Sequence, residues 1–264
     1  MKLFKCYLKL TCIFSIVFIF SCSDYQKILK SNDLEYKYQE AVNYFNENDF
    51  IKAYPLFQEL LLLFRGTAKF EDVYYFYAKT LFEKGNYLAS ANEFKKFHQT
   101  FKDSPRAEES LYKSIYSYFL LCPVYSLDQT NTYKTLDEIG LFIELYPNSL
   151  FIDKISELKF ELLNKLEKKA FENSKQYYRT ENYKSAIYAF NNFLKENQNS
   201  QFKEEVLFLQ LCSYYELAIN SIEEKIDKRI KDCLISYNQF KNEYPTSKFK
   251  NESKKMYNNL KNIK

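Results

Sequence analysis

The sequence predicts an all-α protein built as a right-handed solenoid of about five helix-hairpin repeats. Three observations support this fold class. Glycine occurs three times and proline five times in 264 residues, so helix breakers are few. Apolar residues recur at steps of three and four, which is the helical period. One such pattern occurs five times, which indicates five repeated helix hairpins. Because a single hairpin cannot bury its own apolar face, consecutive hairpins stack on one another and form a solenoid.

Each copy of this pattern ends at an anchor residue that is small or carries a hydroxyl. The anchors are Thr67, Ser104, Ser149, Ser200 and Ser247. Apolar residues precede them by seven positions (Leu60, Phe97, Phe142, Phe193, Phe240) and by ten positions (Phe57, Phe94, Ile139, Phe190, Tyr237). These positions lie on one face of a helix, so we predict that they form the core.

The anchors are separated by 37, 45, 51 and 47 residues. These spacings are close to, but longer than, the 34-residue tetratricopeptide (TPR) unit of two antiparallel helices. Copies one, two and four fit that unit, with Ala41, Ala78 and Ser174 as the small residues that allow two helices to approach closely. Copies three and five fit it only in their second helices, with longer first helices or loops.

The N-terminus has the order of a bacterial lipoprotein signal. Lys2, Lys5 and Lys9 precede an apolar run over 10–20, and Cys22 follows it. A run of about eleven apolar residues is too short to span roughly 30 Å of hydrocarbon. Residues 1–21 are therefore predicted to be a removed signal peptide, Cys22 the attachment site of lipid such as palmitate, and 22–33 a membrane tether.

The alternative for this segment is an ordinary secretory signal whose cysteine is incidental. Bulky Phe20 favours that alternative, whereas small Ser21 favours cleavage directly before Cys22.

Charge and composition exclude several classes of function. The formal net charge is +4, and it falls to +1 without the three signal lysines. Acidic and basic residues are interspersed, so no basic face for nucleic acid is predicted. The single histidine, His98, and three isolated glycines supply neither a catalytic pair nor a phosphate-binding loop. We predict no catalytic residue, no metal site and no cofactor.

Three cysteines remain beyond Cys22. Cys122, Cys212 and Cys233 do not have metal-site spacing. Cys212 and Cys233 lie in consecutive helical segments and are either a disulfide or two buried thiols, a choice the sequence leaves open.

The inner faces of the first helices are the candidate binding surface, because the hairpin core does not need them. In copies one and two this set comprises Glu35, Tyr38, Val42, Phe45, Tyr75, Lys79 and Phe82, flanked by Asn46, Asp72 and Glu83. Copy four adds Phe171, Lys175, Tyr178 and Arg179. An aromatic-rich groove with scattered charges suits an extended peptide with aromatic side chains. A register error of one residue would instead make these core positions.

Five segments are distinctive beyond the helical pattern. The most specific is the insertion at 123–132, which reads PVYSLDQTNT. The others are FRGT at 64–67, FKDSPRAEE at 101–109, YPNS at 146–149 and YPTS at 244–247. Together they resemble the BamD family of TPR lipoproteins, which belong to the β-barrel assembly machinery of the bacterial outer membrane. Phe20 and Asn197, which stands where other copies carry an aromatic residue three before the anchor, depart from the pattern.

The resemblance implies a scaffold that is lipid-anchored at the periplasmic face of the outer membrane. Repeats 1–3, over 34–160, would then bind unfolded outer-membrane protein precursors. Repeats 4–5, over 161–264, would bind the POTRA domains of a BamA-like barrel protein, with Phe171, Lys175, Tyr178 and Arg179 at that contact. No nucleic acid partner is implied.

Two other functions fit the sequence less well. A TPR organiser of cell-envelope or peptidoglycan machinery is expected to carry an N-terminal coiled coil, and the span from Cys22 to Asn32 leaves no room for heptads. A glycan-binding TPR lipoprotein is expected to be longer and to use tryptophan platforms, and the chain has no tryptophan.

Overall fold

The structure is a computed structural model that describes residues 24–262. The predicted signal peptide and the predicted lipid site Cys22 therefore lie outside the described residues. Between 24 and 262 the regular secondary structure is helical and contains no strand. The predicted all-α fold of repeated helix hairpins is confirmed.

After a helical turn at 24–29, the described chain forms eleven helices. They are α1 Leu34–Asn46, α2 Phe50–Leu63, α3 Phe70–Glu83, α4 Tyr87–Thr100, α5 Ala107–Leu120, α6 Thr130–Leu145, α7 Ile152–Arg179, α8 Tyr183–Glu196, α9 Lys203–Ile219, α10 Glu223–Glu243 and α11 Lys250–Lys261. Helices α1 to α10 form the five predicted hairpins in sequential pairs, and α11 packs against α9 and α10.

The described chain divides into two compact units. Unit one comprises 24–123 and 129–159, and unit two comprises 124–128 and 160–262. The short segment 124–128 packs with unit two, where the Lys169 ammonium donates a hydrogen bond to the carbonyl of Leu127. Part of the insertion predicted in the third repeat thus belongs, by its contacts, with the C-terminal repeats.

The core follows the predicted ladder. The ten apolar residues that stand seven and ten positions before the five anchors are all buried, and none is more than 9 % exposed. Ala41 and Ala78 are fully buried and Ser174 is 6 % exposed, which is what close packing of the two helices of a hairpin requires. The hydroxyl of Ser90 donates to the carbonyl of Ala78 across one such contact, at 3.2 Å.

One turn recurs in copies one, two and four. Two residues beyond the first helix, Asn48, Gly85 and Glu181 have positive φ angles of 60°, 76° and 59°. The next amide, that of Asp49, Asn86 or Asn182, donates back to the carbonyl five residues earlier at 2.8 to 2.9 Å. A left-handed residue closes the end of a helix in this way, and it sets the reversal into the second helix.

Copies three and four differ from the prediction. The first helix of copy three, α5, has the same 14-residue length as α3, so this copy fits the unit in both helices. Its extra residues lie in the connection between α5 and α6. In copy four the extra length lies in α7, which runs for 28 residues.

The segment predicted as a tether is packed on copy one from Tyr25 onward. Ile28 is 4 % exposed, and the Tyr25 hydroxyl donates to the carbonyl of Lys52 at 3.0 Å. The side chain of Lys37 is only 2 % exposed, and its ammonium donates to the carbonyl of Leu29 at 3.0 Å and to Glu59 at 2.8 Å. These contacts hold the start of the described chain against α1 and α2.

Candidate functional site

The first helices of unit one carry equivalent residues at intervals of 37 positions. Four rows run across α1, α3 and α5, namely Glu35, Asp72 and Glu109; Tyr38, Tyr75 and Tyr112; Val42, Lys79 and Tyr116; and Phe45, Phe82 and Phe119. We call this surface the first-helix face. The members on α1 and α3 were predicted, whereas those on α5 were missed, although the same 37-residue shift would have found them.

The structure brings the predicted residues of copies one and two together. The ring of Phe45 lies 5.4 Å from that of Phe76, and the Lys79 ammonium lies 5.1 Å from the centroid of Phe45. The ring of Phe82 in turn lies 5.9 Å from that of Tyr116 on α5. Ring contacts therefore connect α1 with α3 and α3 with α5.

Burial divides the predicted rings into two kinds. Tyr75 is 6 % exposed and packs in a core cluster with Phe94 and Phe97. The prediction that its side chain is not needed for packing is therefore wrong. Tyr38, Phe45 and Phe82 are only half-buried. These three rings, rather than Tyr75, offer aromatic surface for a ligand.

A second recurring feature is the residue two positions after each anchor. In all five cases its side chain lies over an aromatic ring in the first helix of the copy that this anchor ends; we call these five the covering residues. The pairs are Lys69 over Tyr38 at 4.5 Å, Arg106 over Tyr75 at 4.8 Å, Phe151 over Tyr112 at 4.6 Å, Phe202 over Phe171 at 4.6 Å and Phe249 over Phe208 at 4.1 Å. Sequence reasoning missed this position.

The covering residue is a cation in copies one and two and a phenylalanine in copies three to five. Each cation also meets an acidic residue of the helix that it covers, since Lys69 pairs with Glu35 and Arg106 pairs with Asp72 at 2.6 Å. Both cations keep about a third of their side chain exposed. Exposed pairs of this kind contribute little to stability, so the surface there can exchange partners at small cost.

The four predicted residues of copy four lie along α7, but they differ in accessibility. Phe171 is 1 % exposed, because Phe202 stacks on one side of it and Phe193 packs edge-on at 6.2 Å. The prediction that Phe171 is not needed for packing is therefore wrong. Its role in binding a partner stays a prediction, as does that of the other three residues.

The other three residues of this set retain polar groups at the surface. Lys175 pairs with Glu205, and Arg179 lies 3.2 Å from Glu172 with about half its side chain exposed. Burial raises the pKa of Tyr178, and the neighbouring thiol of Cys212 raises it further. Whether these three residues contact a partner stays a prediction.

The histidine and cysteine side chains of residues 24–262 have the following surroundings. In that range no group of three or more histidine, cysteine, aspartate or glutamate side chains is placed to hold a metal ion. His98 is half-buried, with Nδ1 3.3 Å from the carbonyl oxygen of Ala107 and 3.4 Å from the hydroxyl of Tyr146. Cys212 and Cys233 are free buried thiols. No helix of the described chain is long and apolar enough to cross a membrane.

Part of the chain matches a known protein family. A family model described as "YfiO: Outer membrane lipoprotein" matches residues 164–263. Among solved structures, a TPR repeats protein from Bacteroides fragilis is similar, with 14 % sequence identity, coverage of 89 % of this chain and all of that chain, and a TM-score of 0.42. No curated protein sequence matches. The C-terminal part of the chain thus resembles an outer membrane lipoprotein family.

Proposed function

We propose that this protein is a lipid-anchored scaffold of the machinery that folds and inserts β-barrel proteins in the outer membrane. In this proposal the first-helix face of unit one binds unfolded barrel precursors. Unit two binds the POTRA domains of a BamA-like partner through Lys175, Tyr178 and Arg179. Lipid on Cys22 holds the protein at the periplasmic face of the membrane, and no catalytic step or cofactor is involved.

The observation that carries the proposal is the set of half-buried rings on the first-helix face. Tyr38 and Phe45 on α1 and Phe82 on α3 belong to this face, and a lysine ammonium lies over each of the three rings. The terminal strand of a barrel precursor carries aromatic side chains on an extended backbone. Half-buried rings can accept such side chains without unfolding of the hairpins, since the core beneath them is closed by other residues.

The packing of the N-terminal segment supports the membrane-facing part of the proposal. Tyr25 is fixed to copy one only three residues after Cys22. Lipid on Cys22 would then hold copy one within a few residues of the membrane surface. A receptor for membrane-bound precursors needs its binding face at that distance.

Two facts support the C-terminal part. The match to the outer membrane lipoprotein family covers residues 164–263, which include most of unit two. On α7, Lys175 and Arg179 present cations at the surface beside half-buried Tyr178. Tyrosine and arginine are both enriched at protein interfaces.

Crosslinking tests the precursor site. A photoreactive group in the last strand of a barrel precursor should crosslink to the wild-type protein and far less to a Tyr38→Ala/Phe82→Ala variant. Tyr36→Ala/Leu88→Ala is the matched control, because it removes two exposed apolar side chains on α1 and α4 outside the first-helix face. Equal crosslinking by all three proteins would contradict the assignment.

Purification from detergent-solubilised outer membrane tests the partner. We expect a large barrel protein with POTRA domains to co-purify, and a Lys175→Glu/Arg179→Glu variant to lose it. Recovery of envelope or peptidoglycan machinery in its place would favour the alternative function and remove the leading one.

A further inference from the structure

An open cleft lies between α10 and α11 in unit two. It is a cavity of about 420 Å³, and all of its lining residues come from these two helices and the connection between them. The lining includes three aromatic residues and three lysines, namely Tyr237, Phe240, Tyr244, Lys241, Lys250 and Lys254. No carboxylate lies among the lining residues. The α10–α11 cleft is therefore aromatic and positively charged.

The walls of the α10–α11 cleft are fixed by packing within unit two. The ring of Tyr237 on α10 stacks on that of Tyr257 on α11, with 4.5 Å between centroids. Phe240 is only 1 % exposed, and the hydroxyl of Ser253 donates a hydrogen bond to the carbonyl of Lys250 at 2.9 Å. The cleft is thus formed before any ligand binds, which lowers the cost of binding.

The three lysines of the cleft have no counter-ion within the described chain. All three are exposed, and among residues 24–262 none of their ammonium groups forms an ion pair or a hydrogen bond. Of the acidic residues nearest in sequence, Glu243 pairs with Lys203 at 2.9 Å and Glu252 does not line the cleft. Like charges around one cavity repel each other, so an anionic ligand would be favoured there.

Two cavities of unit one lie in the same register of the repeat. The residues six before and seven after an anchor line all three cavities: Leu61 and Tyr74, His98 and Leu111, Lys241 and Lys254. In unit one the next second helix forms a third side, with Gln99 of α4 at the first cavity and Leu141 of α6 at the second. Within residues 24–262, no helix takes that place at the α10–α11 cleft.

The cleft differs from its two counterparts in charge. The counterparts have apolar or aromatic residues where the cleft has lysine: Tyr74 and Leu111 in place of Lys254, and Phe70 and Ala107 in place of Lys250. A covering helix with an apolar inner face suits the cavities of unit one. At the α10–α11 cleft the same helix would remove water from ammonium groups without replacing it by an anion, which is unfavourable. A helix that covers this cleft should therefore carry negative charge.

One covering helix of unit one already makes a contact of this kind. Glu138 on α6 pairs with Lys95 on α4 at 2.5 Å, and both residues line the second cavity. The same cavity is lined by Leu141 and Leu145 of α6, which are four residues apart and so lie on one face of that helix. An acidic residue on a covering helix can thus neutralise a lysine of the helix beneath it.

We propose that the α10–α11 cleft binds an acidic amphipathic helix of a partner protein, in the place that the next second helix takes in unit one. Two carboxylates four residues apart would meet Lys241 on α10 and Lys254 on α11, and apolar side chains of the same helix would meet the aromatic wall. The inference is independent of the proposed function, because no residue assigned to the precursor or to the POTRA domains lines this cleft.

Binding of a fluorescent helical peptide to the full-length protein in detergent tests the inference. The probe has the sequence of residues 130–146 with Leu141→Glu and Leu145→Glu, and a staple joins positions 133 and 137, which are exposed in α6. We expect it to bind about tenfold more tightly than the stapled peptide without these glutamates. Lys241→Gln/Lys254→Gln should remove most of this difference, because two exposed ion pairs are lost. High salt should weaken binding in the same way.

A matched control makes the same change of charge outside the cleft. Lys231→Gln/Lys255→Gln alters one exposed lysine on α10 and one on α11, neither of which lines the cleft, and should change the affinity less than about twofold. Thermal unfolding monitors whether each variant stays folded. An equal loss in the matched control, or no binding of the acidic probe by the wild type, would overturn the inference and leave the proposed function intact.

Reversal of both charges gives a second test of the same contact. A probe with Leu141→Lys and Leu145→Lys should bind the Lys241→Glu/Lys254→Glu variant at least tenfold more tightly than it binds the wild type. Equal binding of this probe to both proteins would contradict a direct contact between the two pairs of residues.

Two further measurements separate other occupants of the cleft. Sedimentation of the protein without peptide should show no self-association that depends on Lys241 and Lys254. A dimer that Lys241→Glu/Lys254→Glu abolishes would assign the cleft to a second copy and overturn the choice of an acidic partner. Co-purification of the POTRA-bearing protein should be the same for the wild type and Lys241→Gln/Lys254→Gln. Loss of that protein would make the cleft part of the POTRA contact and overturn a separate site.

Discussion

The ring of Phe202 lies parallel to that of Phe171, with 4.6 Å between centroids and 5° between planes. Phe202 comes two residues after an anchor, and the same position covers a first-helix ring in every copy. The contact joins the start of one hairpin to the first helix of the hairpin before it. It therefore helps to hold consecutive hairpins of unit two in register.

Removal of the covering ring should destabilise unit two. Phe202→Ala removes a half-buried phenyl group, and we expect the free energy of unfolding in denaturant to fall by about 2 kcal/mol, below the range for fully buried phenylalanine. Phe160→Ala is the control, because that side chain is 66 % exposed and its loss should change the free energy by less than about 0.5 kcal/mol. Equal effects would mean that the stacking does not contribute.

Because the ammonium of Lys37 is buried, we expect the effects of substitutions at Lys37 and Glu59 on the free energy of unfolding to be non-additive. Glu59→Ala leaves that ammonium with only the Leu29 carbonyl, and we expect a loss of about 2 kcal/mol in the free energy of unfolding. Lys37→Met fills the same space without charge and should cost about 1 kcal/mol or less. The variant with both changes should be more stable than Glu59→Ala alone; additive losses in urea titrations would contradict this.

The recurring turn predicts opposite effects at two equivalent positions. Gly85→Ala puts a Cβ on a residue with a φ of 76°, and no atom lies within 4 Å of that Cβ. The cost is therefore conformational, about 1 kcal/mol. Glu181→Gly relieves the same conformation at φ 59° and should raise stability by up to about 1 kcal/mol. Thermal unfolding of the two variants should give midpoints on opposite sides of the wild type.

The buried thiols predict a loss of stability in alkali. Burial raises the pKa of both Cys212 and Cys233 to about 12, from an ordinary value of 9.0. The folded-state pKa of each thiol is above its unfolded-state value. The buried, protonated thiols therefore contribute fully to the stability of the fold below pH 9.0, and this contribution is lost as the pH rises toward 12. The free energy of unfolding should fall across this interval. It should fall less in a Cys212→Ala/Cys233→Ala variant, which keeps the buried tyrosines but lacks the two thiols, so the difference measures the effect of the thiols.

Alkylation gives a second measurement on the same thiols. Only the thiolate reacts, so both cysteines should resist iodoacetamide at pH 9.0 in the folded protein and react once it is unfolded. Digestion and mass spectrometry resolve the two sites. Rapid labelling of the folded protein at either cysteine would contradict the assigned burial.

The core was predictable because burial within a hairpin follows helical period alone. Phe57, Phe94 and Phe190 occupy the same ladder position in three copies, and all are fully buried. The small residues Ala41 and Ala78 were found by the same logic. Each conclusion needs only the knowledge of which side of one helix faces its partner.

The candidate site was predicted less completely, because it depends on contacts between elements far apart in the chain. Tyr112 was missed because the α5–α6 connection is longer and places the next anchor 45 residues after Ser104. The first helix of copy three nevertheless keeps the 37-residue spacing from the first helix of copy two. The sequence predicts that Phe171 is not needed for packing, because nothing in its own helix indicates that Phe202, 31 positions later, stacks on its ring.

By itself the sequence determined the helical class, the five repeats and their core, since periodicity decides which face of a helix leaves water. Only the tertiary structure decided which rings on the opposite face stay open. It showed that Tyr75 and Phe171 are buried and that Phe45 and Phe82 are half-buried. The physical reason is that the exposure of a surface residue depends on which side chains of the next hairpin pack on it. Such contacts join residues that are far apart in the sequence, so helical periodicity does not predict them.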